Sequence, residues 1–526
     1  MPSMKRLRVV LSLFALFVAS TPAVAQFDTA TVVGTVKDNT GAVVPGATVT
    51  LTNLDTSIAA TRVTDADGNF EFVTVRVGRY RVTAELQGFA IALADDVQVT
   101  VGARQRVDLQ LRPGNLTETV EVVGAATLLE TDSSQRGHVI TAEQAVELPL
   151  NGREYSALAL LSPGVRLSAL NTGSASTVRE GSFNVNGLRS TFNNFLLDGI
   201  DNNAYGTSNQ GFSNQVMQPS PDAVAEFKVV TNNLSAEYGR SAGATINVAY
   251  RSGTNEFHGA GWEFYRDTKL NATGFFKPVT GEKPPLSRDQ FGFTLGGPLV
   301  RNRAFFFGDY EGFRQTRENV SFQTIPNATQ RQGILSVSVR NPLTGVTYPA
   351  GTQIPMTDFA RKVLSQLPDP TSTGASNNYS ILQEFTNVTD KSAGKVDIQL
   401  SPALTAFGRF GYRDADLVDN PPLPLPSGGS GNGETYITNK QFVTGFTWAR
   451  TRTSVIEGRF GWSRTVAGKN PLALGTGAAL EEYGIRGIGG QLERLGQPND
   501  LSLRQRGEER YTANQRLDHP CIPALE

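Results

Sequence analysis

Cysteine, histidine and net charge are all scarce in this 526-residue sequence, and each scarcity removes a class of function. The single cysteine, Cys521, cannot form a disulfide within the chain. The three histidines, His138, His258 and His519, lie far apart and lack the spacing of metal ligands, so we expect no metal site and no cofactor. A net charge of −1 gives no reason to expect a nucleic-acid partner.

Long apolar runs are also missing, except near the N-terminus. Residues 1–25 have a basic start, an apolar stretch and an Ala-x-Ala site that ends at Ala25. This pattern predicts a signal peptide that is cleaved after Ala25, because the apolar stretch is short for the alternative, a membrane anchor. No later stretch approaches ~20 continuous apolar residues, so a membrane-embedded chain would have to cross with β-strands.

Residues 27–112 are expected to form a β-sandwich, because short runs alternate apolar and polar side chains between turn residues. Three patterns stand out: G-T-V-x-D-x-x-G at 34–41, T-D-x-x-G-x-F at 64–70 and G-x-Y at 78–80. Together they resemble the carboxypeptidase regulatory-like domain. The resemblance implies a binding or spacer module and no peptidase activity, since clustered His and Glu ligands for zinc are missing.

The stretch 65–69, Asp-Ala-Asp-Gly-Asn, invites comparison with a calcium-binding loop. No glutamate closes the loop at the spacing that calcium loops use. We therefore interpret it as a hairpin turn that is held by Asx side chains.

Residues 113–126 form a linker with a short segment of acids, threonine and valines: Glu118, Thr119, Val120, Glu121, Val122 and Val123. The segment resembles the Ton box of TonB-dependent receptors. The resemblance implies that these residues bind TonB, since an extended, unpaired segment can add as a strand to a sheet edge. The six residues alone favour one more strand of the preceding domain, whereas their position before the next domain favours the Ton box.

Residues 127–252 resemble the plug domain of TonB-dependent receptors. The similarity rests on a strand that ends in Leu-Asp-Gly at 197–199, a proline-preceded strand at 225–230 and a final strand at 245–250. Before them, Thr141 and Gln144 are spaced to cap a short helix that Pro149 ends, and a second short helix is expected at 155–161.

Two further motifs narrow the resemblance. The sequence LPLNGR at 148–153, followed by LSPGV at 161–165, is frequent in Oar-like TonB-dependent receptors.

A third motif, G-x-S-x-G at 239–243, matches the nucleophile elbow of hydrolases, but that elbow needs a helix after it. A strand is expected there, so we interpret the motif as a glycine-rich turn and predict no catalytic residue.

Residues 253–526 contain alternating, aromatic-rich runs that predict barrel hairpins. Phe442, Thr444, Phe446 and Trp448 are expected to pair with Ile456, Gly458, Phe460 and Trp462. The stretch 290–314 resembles the early barrel strands of the Oar-like group. Long polar segments at 271–288, 341–379 and 416–435 are typical of loops on one side of an outer-membrane barrel, and the second holds a helix at 354–367.

The predicted fold is therefore mainly β, with an N-terminal β-sandwich, an α+β plug domain and a partial transmembrane antiparallel β-barrel. The expected boundaries are signal peptide 1–25, sandwich 27–112, linker 113–126, plug 127–252 and first part of the barrel 253–526. Receptors of this type close with about 22 strands. The residues after the plug supply about half that number, so we expect a fragment or a frameshifted product of a longer gene.

The resemblance implies a TonB-dependent outer-membrane receptor that moves a ligand across the outer membrane of a Gram-negative-type bacterium, through a plug rearrangement driven by TonB. The expected partners are TonB with its inner-membrane energy-coupling complex, outer-membrane lipid and an extracellular ligand of unknown identity. The alternative is a secreted or surface β-rich adhesion protein, because alternation also suits soluble β proteins. We expect no enzyme activity.

Overall fold

The computed structural model describes residues 29–114, 119–121, 132–168, 182–204, 214–235, 239, 242–275, 281, 283–424, 427–428, 433–451, 454–470, 483, 517–519 and 524–525. The predicted signal peptide lies outside these residues. Within them, no helix combines the length and the apolar character that a bilayer span requires.

The N-terminal unit is a β-sandwich, as predicted. Its strands are β1 Ala30–Asp38, β2 Thr48–Asn53, β3 Ala59–Val63, β4 Asn69–Val75, β5 Gly78–Glu85, β6 Ile91–Val99, β7 Arg104–Arg106, β8 Leu109–Leu111 and β9 Thr119–Glu121. One sheet places β1 between β4 and the parallel strands β7 and β8, and the other has the order β3-β2-β5-β6-β9. The alternating positions point inward, so Val32, Val49 and Val82 are all fully buried between the sheets.

The acidic stretch at 65–69 is a turn, as the sequence indicated. Asp65 Oδ1 accepts hydrogen bonds from the backbone N–H groups of Asp67 at 2.9 Å and Asn69 at 2.8 Å. The side chain that a calcium loop would use as a ligand is thus engaged in an Asx turn that leads into β4.

The plug is an α+β unit built on a five-stranded sheet of order β10-β15-β16-β13-β14. Its strands are β10 Arg136–Thr141, β11 Val165–Leu167, β12 Phe183–Val185, β13 Asn194–Leu197, β14 Ile200–Asp201, β15 Val224–Asn232 and β16 Thr245–Tyr250. Its helices are α1 Ala142–Glu147 and the 3-10 turns Tyr155–Leu161, Ser190–Phe192 and Pro221–Ala223. Thr141 and Gln144 form the predicted capping box of α1.

The third unit is a long antiparallel sheet. Its main strands are β17 His258–Asp267, β18 Leu286–Val300, β19 Ala304–Gln323, β22 Tyr379–Ser401, β23 Leu404–Asp419, β24 Gly433–Ala449 and β25 Val455–Asn470. The shorter elements are the 3-10 turn Thr268–Leu270, α2 Ala328–Arg331, β20 Val339–Arg340, β21 Thr347–Tyr348, α3 Asp358–Gln366, β26 Leu517–His519 and β27 Ala524–Leu525. The sheet pairs its main strands in sequence order and does not close on itself within the described residues.

The two ends of this sheet differ. Short connections at 301–303, 402–403 and 450–454 join strands at one end, which we call the turn end. Long connections at 268–285, 324–378 and 420–432 join them at the other, which we call the loop end. Outer-membrane barrels show this asymmetry, with short periplasmic turns and longer extracellular loops. The long connection 324–378 contains α3 at Asp358–Gln366, within the predicted helix at 354–367.

The sheet exposes apolar side chains on one face and buries polar side chains on the other, which is the reverse of the distribution in a soluble protein. Phe410, Phe446 and Trp448 point away from the plug and are 38–49% exposed, whereas Arg409 and Gln441 point toward the plug and are at most 1% exposed. An apolar outer face and a polar inner face are typical of a membrane barrel. The predicted hairpin is confirmed in register, because Phe442 pairs with Trp462 and Trp448 pairs with Ile456.

Candidate functional site: the plug seated on the barrel wall

The turn between β13 and β14 places Asp198 in a buried charge cluster on the barrel wall. Asp198 and Gly199 both adopt positive φ, 50° and 71°, as Asp-Gly does in two-residue hairpin turns. The Asp198 carboxylate accepts hydrogen bonds from Lys395 Nζ at 3.1 Å and from Arg409 Nε at 2.6 Å. Asp198 and Arg409 are 0% and 1% exposed, so this ionic contact is shielded from water.

Further donors surround the same turn. The backbone N–H of Tyr250 donates to Asp198 Oδ1 at 3.1 Å, and Arg459 Nη1 donates to the backbone oxygen of Asp198 at 3.0 Å. Lys395 Nζ also donates to the backbone oxygen of Tyr250 at 3.1 Å. Cations from β22, β23 and β25 therefore converge on one turn of the plug. We call Asp198, Lys395, Arg409 and Arg459 the Asp198 cluster.

Arg153 of the LPLNGR stretch forms a second ionic contact with the wall. Its Nε donates to Glu311 Oε2 at 3.2 Å, and its Nη2 pairs with Asp222 of the plug. Lys391 Nζ donates to the other oxygen of Glu311 at 3.2 Å. The guanidinium carbon also lies 4.8 Å from the centre of the Trp262 ring, within cation–π range. We call Arg153, Asp222, Glu311 and Lys391 the Arg153 cluster.

A third contact joins the end of β16 to the wall. Asp309 of β19 accepts hydrogen bonds from the hydroxyl of Tyr250 and, at 3.1 Å, from the hydroxyl of Ser220. All three side chains are buried. Polar pairs thus form much of the contact between plug and wall, whereas the centre of the plug is packed with apolar side chains such as Phe195 and Phe227.

Two glycines of the wall permit this close approach. A Cβ at Gly461 would lie 2.4 Å from Cγ2 of Ile200, and a Cβ at Gly411 would lie 2.6 Å from Cε of Met217. Real Cβ atoms do not approach other atoms so closely, so a larger residue at Gly461 would push against the β-branched Ile200 of the plug, whereas one at Gly411 would displace the flexible end of Met217.

Sequence reasoning found the plug motifs but missed their partners on the wall. Asp198 and Arg153 lie in the predicted LDG and LPLNGR stretches, while Lys395, Arg409 and Glu311 were not singled out. A signal was present in the strands, because Arg409 occupies an inward position of an otherwise alternating run. Charged residues on the inward face of a barrel strand lie in a polar interior, so they are candidates for ion pairs with charged residues of the plug.

The sandwich docks under the plug at the turn end of the sheet. Arg76 Nη1 lies 2.5 Å from Asp397 Oδ1 of β22, whose side chain is 3% exposed. The backbone N–H of Val101 donates to the Glu226 carboxyl of β15. The N-terminal unit therefore contacts both the plug and the barrel wall, and is more than a tethered spacer.

The strength of the docking contact at Glu226 is expected to depend on pH. Burial raises its pKa from 4.5 to about 7, although the Val101 N–H and the Lys228 charge act in the opposite direction. The docked state thus favours the protonated carboxyl, so docking is strongest below pH 4.5 and weakens as the pH rises through 7.

We expect hydrogen exchange at the Val101 amide of the full chain to accelerate between pH 5 and 8 beyond the intrinsic rate change, by up to about 100-fold. The control is Glu226→Gln, which accepts the same hydrogen bond and does not titrate. A wild-type profile that parallels that of Glu226→Gln would contradict the assignment.

The structure describes half of the predicted TonB-interacting residues. Thr119, Val120 and Glu121 form β9, which pairs in parallel with β6 in the register Ile91 to Thr119, Ala92 to Val120 and Leu93 to Glu121. Glu118, Val122 and Val123 lie outside the described residues. The observed pairing matches the alternative reading, a further strand of the sandwich, and binding of TonB to this segment stays a prediction.

The G-x-S-x-G motif is followed by a strand, as expected, and not by the helix of a nucleophile elbow. β16 begins at Thr245, two residues after Gly243, and residues 240–241 lie outside the described part. In that part, no group of three or more His, Cys, Asp or Glu side chains is arranged to hold a metal ion.

Comparison with known proteins assigns all three units. Residues 31–112 match the carboxypeptidase regulatory-like domain, residues 130–246 the TonB-dependent receptor plug domain, and residues 249–514, about half of the chain, the outer membrane beta barrel domain. TonB-dependent transporter Oar of Myxococcus xanthus is 28% identical over 295 residues, which cover 53% of this chain and 26% of Oar. The chain belongs to the Oar-like TonB-dependent receptors.

A second relative of this receptor is the ferrienterobactin receptor of Escherichia coli (strain K12), with 21% identity over 234 residues, or 43% of the chain and 30% of the relative. The chain thus matches less than a third of the length of either curated relative. Among solved structures, the outer membrane transporter YddB of Escherichia coli aligns with 62% of the chain and 39% of its own, at a TM-score of 0.40 and 14% identity.

Proposed function

We propose that this Oar-like chain acts in the outer membrane as a TonB-dependent receptor that passes an extracellular ligand by moving its plug. The observation that carries the proposal is the way the plug meets the wall. Buried ion pairs such as Asp198–Arg409 hold it there, and such pairs have two discrete states, formed or broken. A plug held in this way stays closed until a force or a ligand changes the pairing.

The proposed receptor has a defined orientation in the membrane. The aromatic outer face meets lipid, the loop end faces the extracellular medium, and the turn end with the docked sandwich faces the periplasm. Export would follow from the predicted signal peptide at 1–25. The receptor itself carries out no covalent chemistry in this proposal, since transport needs only binding and displacement.

TonB would act through the segment from Glu118 to Val123. Strand addition to TonB uses the backbone of this segment, and three of its residues currently pair with β6. A three-residue pairing holds only a few backbone hydrogen bonds, each contributing about 0.5–1.5 kcal/mol net, so it is readily exchanged. Force on the released segment would be transmitted along the chain to β10, which pairs with β15 at the edge of the plug sheet.

A backbone-selective substitution tests this step. We expect Val120→Pro to weaken capture of the detergent-solubilised full chain by the immobilised periplasmic domain of TonB by about 10-fold or more, because proline lacks the N–H that strand addition uses. The matched control, Val120→Ala, keeps the backbone groups and should bind within a few-fold of wild type. Equal capture of the two variants would show that TonB does not bind this segment by strand addition.

A further inference from the structure

Arginines crowd the plug-facing side of the sheet at its loop end. Arg266 and Arg288 stand directly opposite each other on β17 and β18, and Arg288 in turn stands opposite Gln315 of β19. Arg317 lies two residues beyond Gln315 and therefore shares its face. Glu311 of the Arg153 cluster is on the same face, which fixes this face as the one toward the plug. We call Arg266, Arg288 and Arg317 the loop-end arginines.

The hydrogen-bond partners of the first two are neutral. Arg288 donates to Asn151 Oδ1 at 2.7 Å and to Gln315 Oε1 at 2.8 Å. Arg266 donates to the same Asn151 oxygen at 3.3 Å and to Asn271 Oδ1 at 2.8 Å. These amide oxygens satisfy N–H groups but cancel no charge.

Arg317 has fewer hydrogen-bond partners than the other two arginines. Arg317 lies with its guanidinium carbon 4.9 Å from the centre of the Phe385 ring, and its Nε is buried without a hydrogen-bond partner. Within the described part of the chain, none of the three loop-end arginines forms an ion pair with a carboxylate, and Asp419 acts on Arg317 only through its charge at longer range.

This arrangement differs from the rest of the wall. Deeper on the same face, Lys391, Lys395 and Arg409 each contact a carboxylate of the plug or of the wall. Like charges directly opposite each other on neighbouring strands are destabilising, so an unneutralised arginine pair costs stability unless something else compensates it. An anion is the missing complement.

We propose that the loop-end arginines bind the carboxylate or phosphate group of a small anionic ligand that enters from the loop end. Guanidinium groups present paired N–H donors that match the two oxygens of such a group. The opposed pair would share the anion, and Arg317 on the same face would add a third positive charge. Anion binding stands on these contacts alone, and only its role as the transported cargo rests on the proposed receptor function.

The same contacts link the anion to the plug. Asn151 accepts from both arginines and lies two residues before Arg153, whose side chain joins Asp222 and Glu311. An anion that takes over the guanidinium donors releases Asn151. The turn that carries Arg153 then loses its tie to β17 and β18, so ligand binding loosens one of the two ionic contacts that hold the plug.

Trp262 offers a local reporter, because its ring stacks on Arg153 and the chain has only two other tryptophans, Trp448 and Trp462. The experiment titrates citrate and, separately, inorganic phosphate into the full Trp448→Phe/Trp462→Phe chain in neutral detergent micelles at constant ionic strength. We expect a saturable change in Trp262 fluorescence. Arg266→Gln/Arg288→Gln should weaken it about 10-fold or more, because it removes both opposed charges.

The matched control is Arg301→Gln/Arg303→Gln, which removes the same charge from the exposed turn at the other end of the sheet and should titrate like the parent. Thermal unfolding separates folding from binding: the anion should raise the Tm of the parent and the control, and leave that of Arg266→Gln/Arg288→Gln unchanged. No saturable change with either probe, or equal titration of both double variants, would overturn the proposal. TonB capture measured on the same samples reports the receptor function independently.

Discussion

Asp198→Asn is expected to lower the free energy that holds the plug on the barrel wall by about 3–5 kcal/mol, the usual cost of removing one partner from a buried ion pair. The substitution keeps the shape of the side chain and removes the charge that Lys395 and Arg409 share. Two cations would then remain buried without a counter-charge. The measurement is the urea concentration at which the plug of the full chain in micelles becomes cleavable by protease.

The control for this prediction is Asp95→Asn in the sandwich. Asp95 pairs with Arg81 at 2.7 Å, but their side chains are 35% and 47% exposed, and exposed pairs contribute at most about 1 kcal/mol. Adding Lys395→Met to Asp198→Asn should recover part of the loss, because it removes one of the unpaired cations. A loss for Asp198→Asn as small as that of the control would show that the buried pairs do not hold the plug.

A disulfide between β6 and β9 is expected to abolish capture by TonB. Ile91 and Thr119 are register partners, and neighbouring strands lie about 4.8 Å apart, within the span that a disulfide bridges. We expect the Ile91→Cys/Thr119→Cys chain, in a Cys521→Ser background, to lose TonB capture when oxidised and to regain it with dithiothreitol. The reason is that the crosslink prevents the segment from leaving β6.

The single variant Ile91→Cys controls for the substitution and should be indifferent to oxidation. The outcomes separate two ideas. Capture in both redox states would mean that TonB binds β9 while it stays on the sandwich. If TonB captures neither the double variant in either redox state nor the single variant, the idea that this chain binds TonB is wrong.

Local pattern was enough to predict much of the fold. The hairpin that pairs Phe442 with Trp462 was predictable because its strands alternate cleanly and only a short turn separates them. The cap of α1 by Thr141 and the Asx turn at Asp65 follow from side chains that reach only two to four residues along the chain. These features depend on neighbours in sequence.

The contacts of the candidate site depend instead on residues far apart in sequence. Asp198 and Arg409 are separated by 211 positions, and Arg153 and Glu311 by 158, so no local period relates them. Their pairing is set by where the plug sits against the sheet. The docking of Arg76 on Asp397 is equally remote, at 321 positions, and the sequence predicted a binding or spacer module without indicating that it would contact the barrel wall.

The TonB segment shows a different difficulty. Thr119, Val120 and Glu121 have the alternation of a strand, and that pattern serves equally well for pairing with the sandwich or with TonB. The structure shows the first pairing. Because the same backbone groups serve both, one sequence pattern supports both readings, and a binding measurement is needed to choose.

This chain is expected to place an aromatic sheet in the outer membrane, with the plug on the polar inner face of that sheet. Density separation of membranes from cells that express the full chain, followed by extraction of the outer-membrane fraction with alkaline urea, tests it directly. We expect the chain to remain in the outer-membrane pellet after extraction. Recovery of folded protein from the medium or the periplasm would rule out the membrane-embedded sheet and support the secreted adhesion protein.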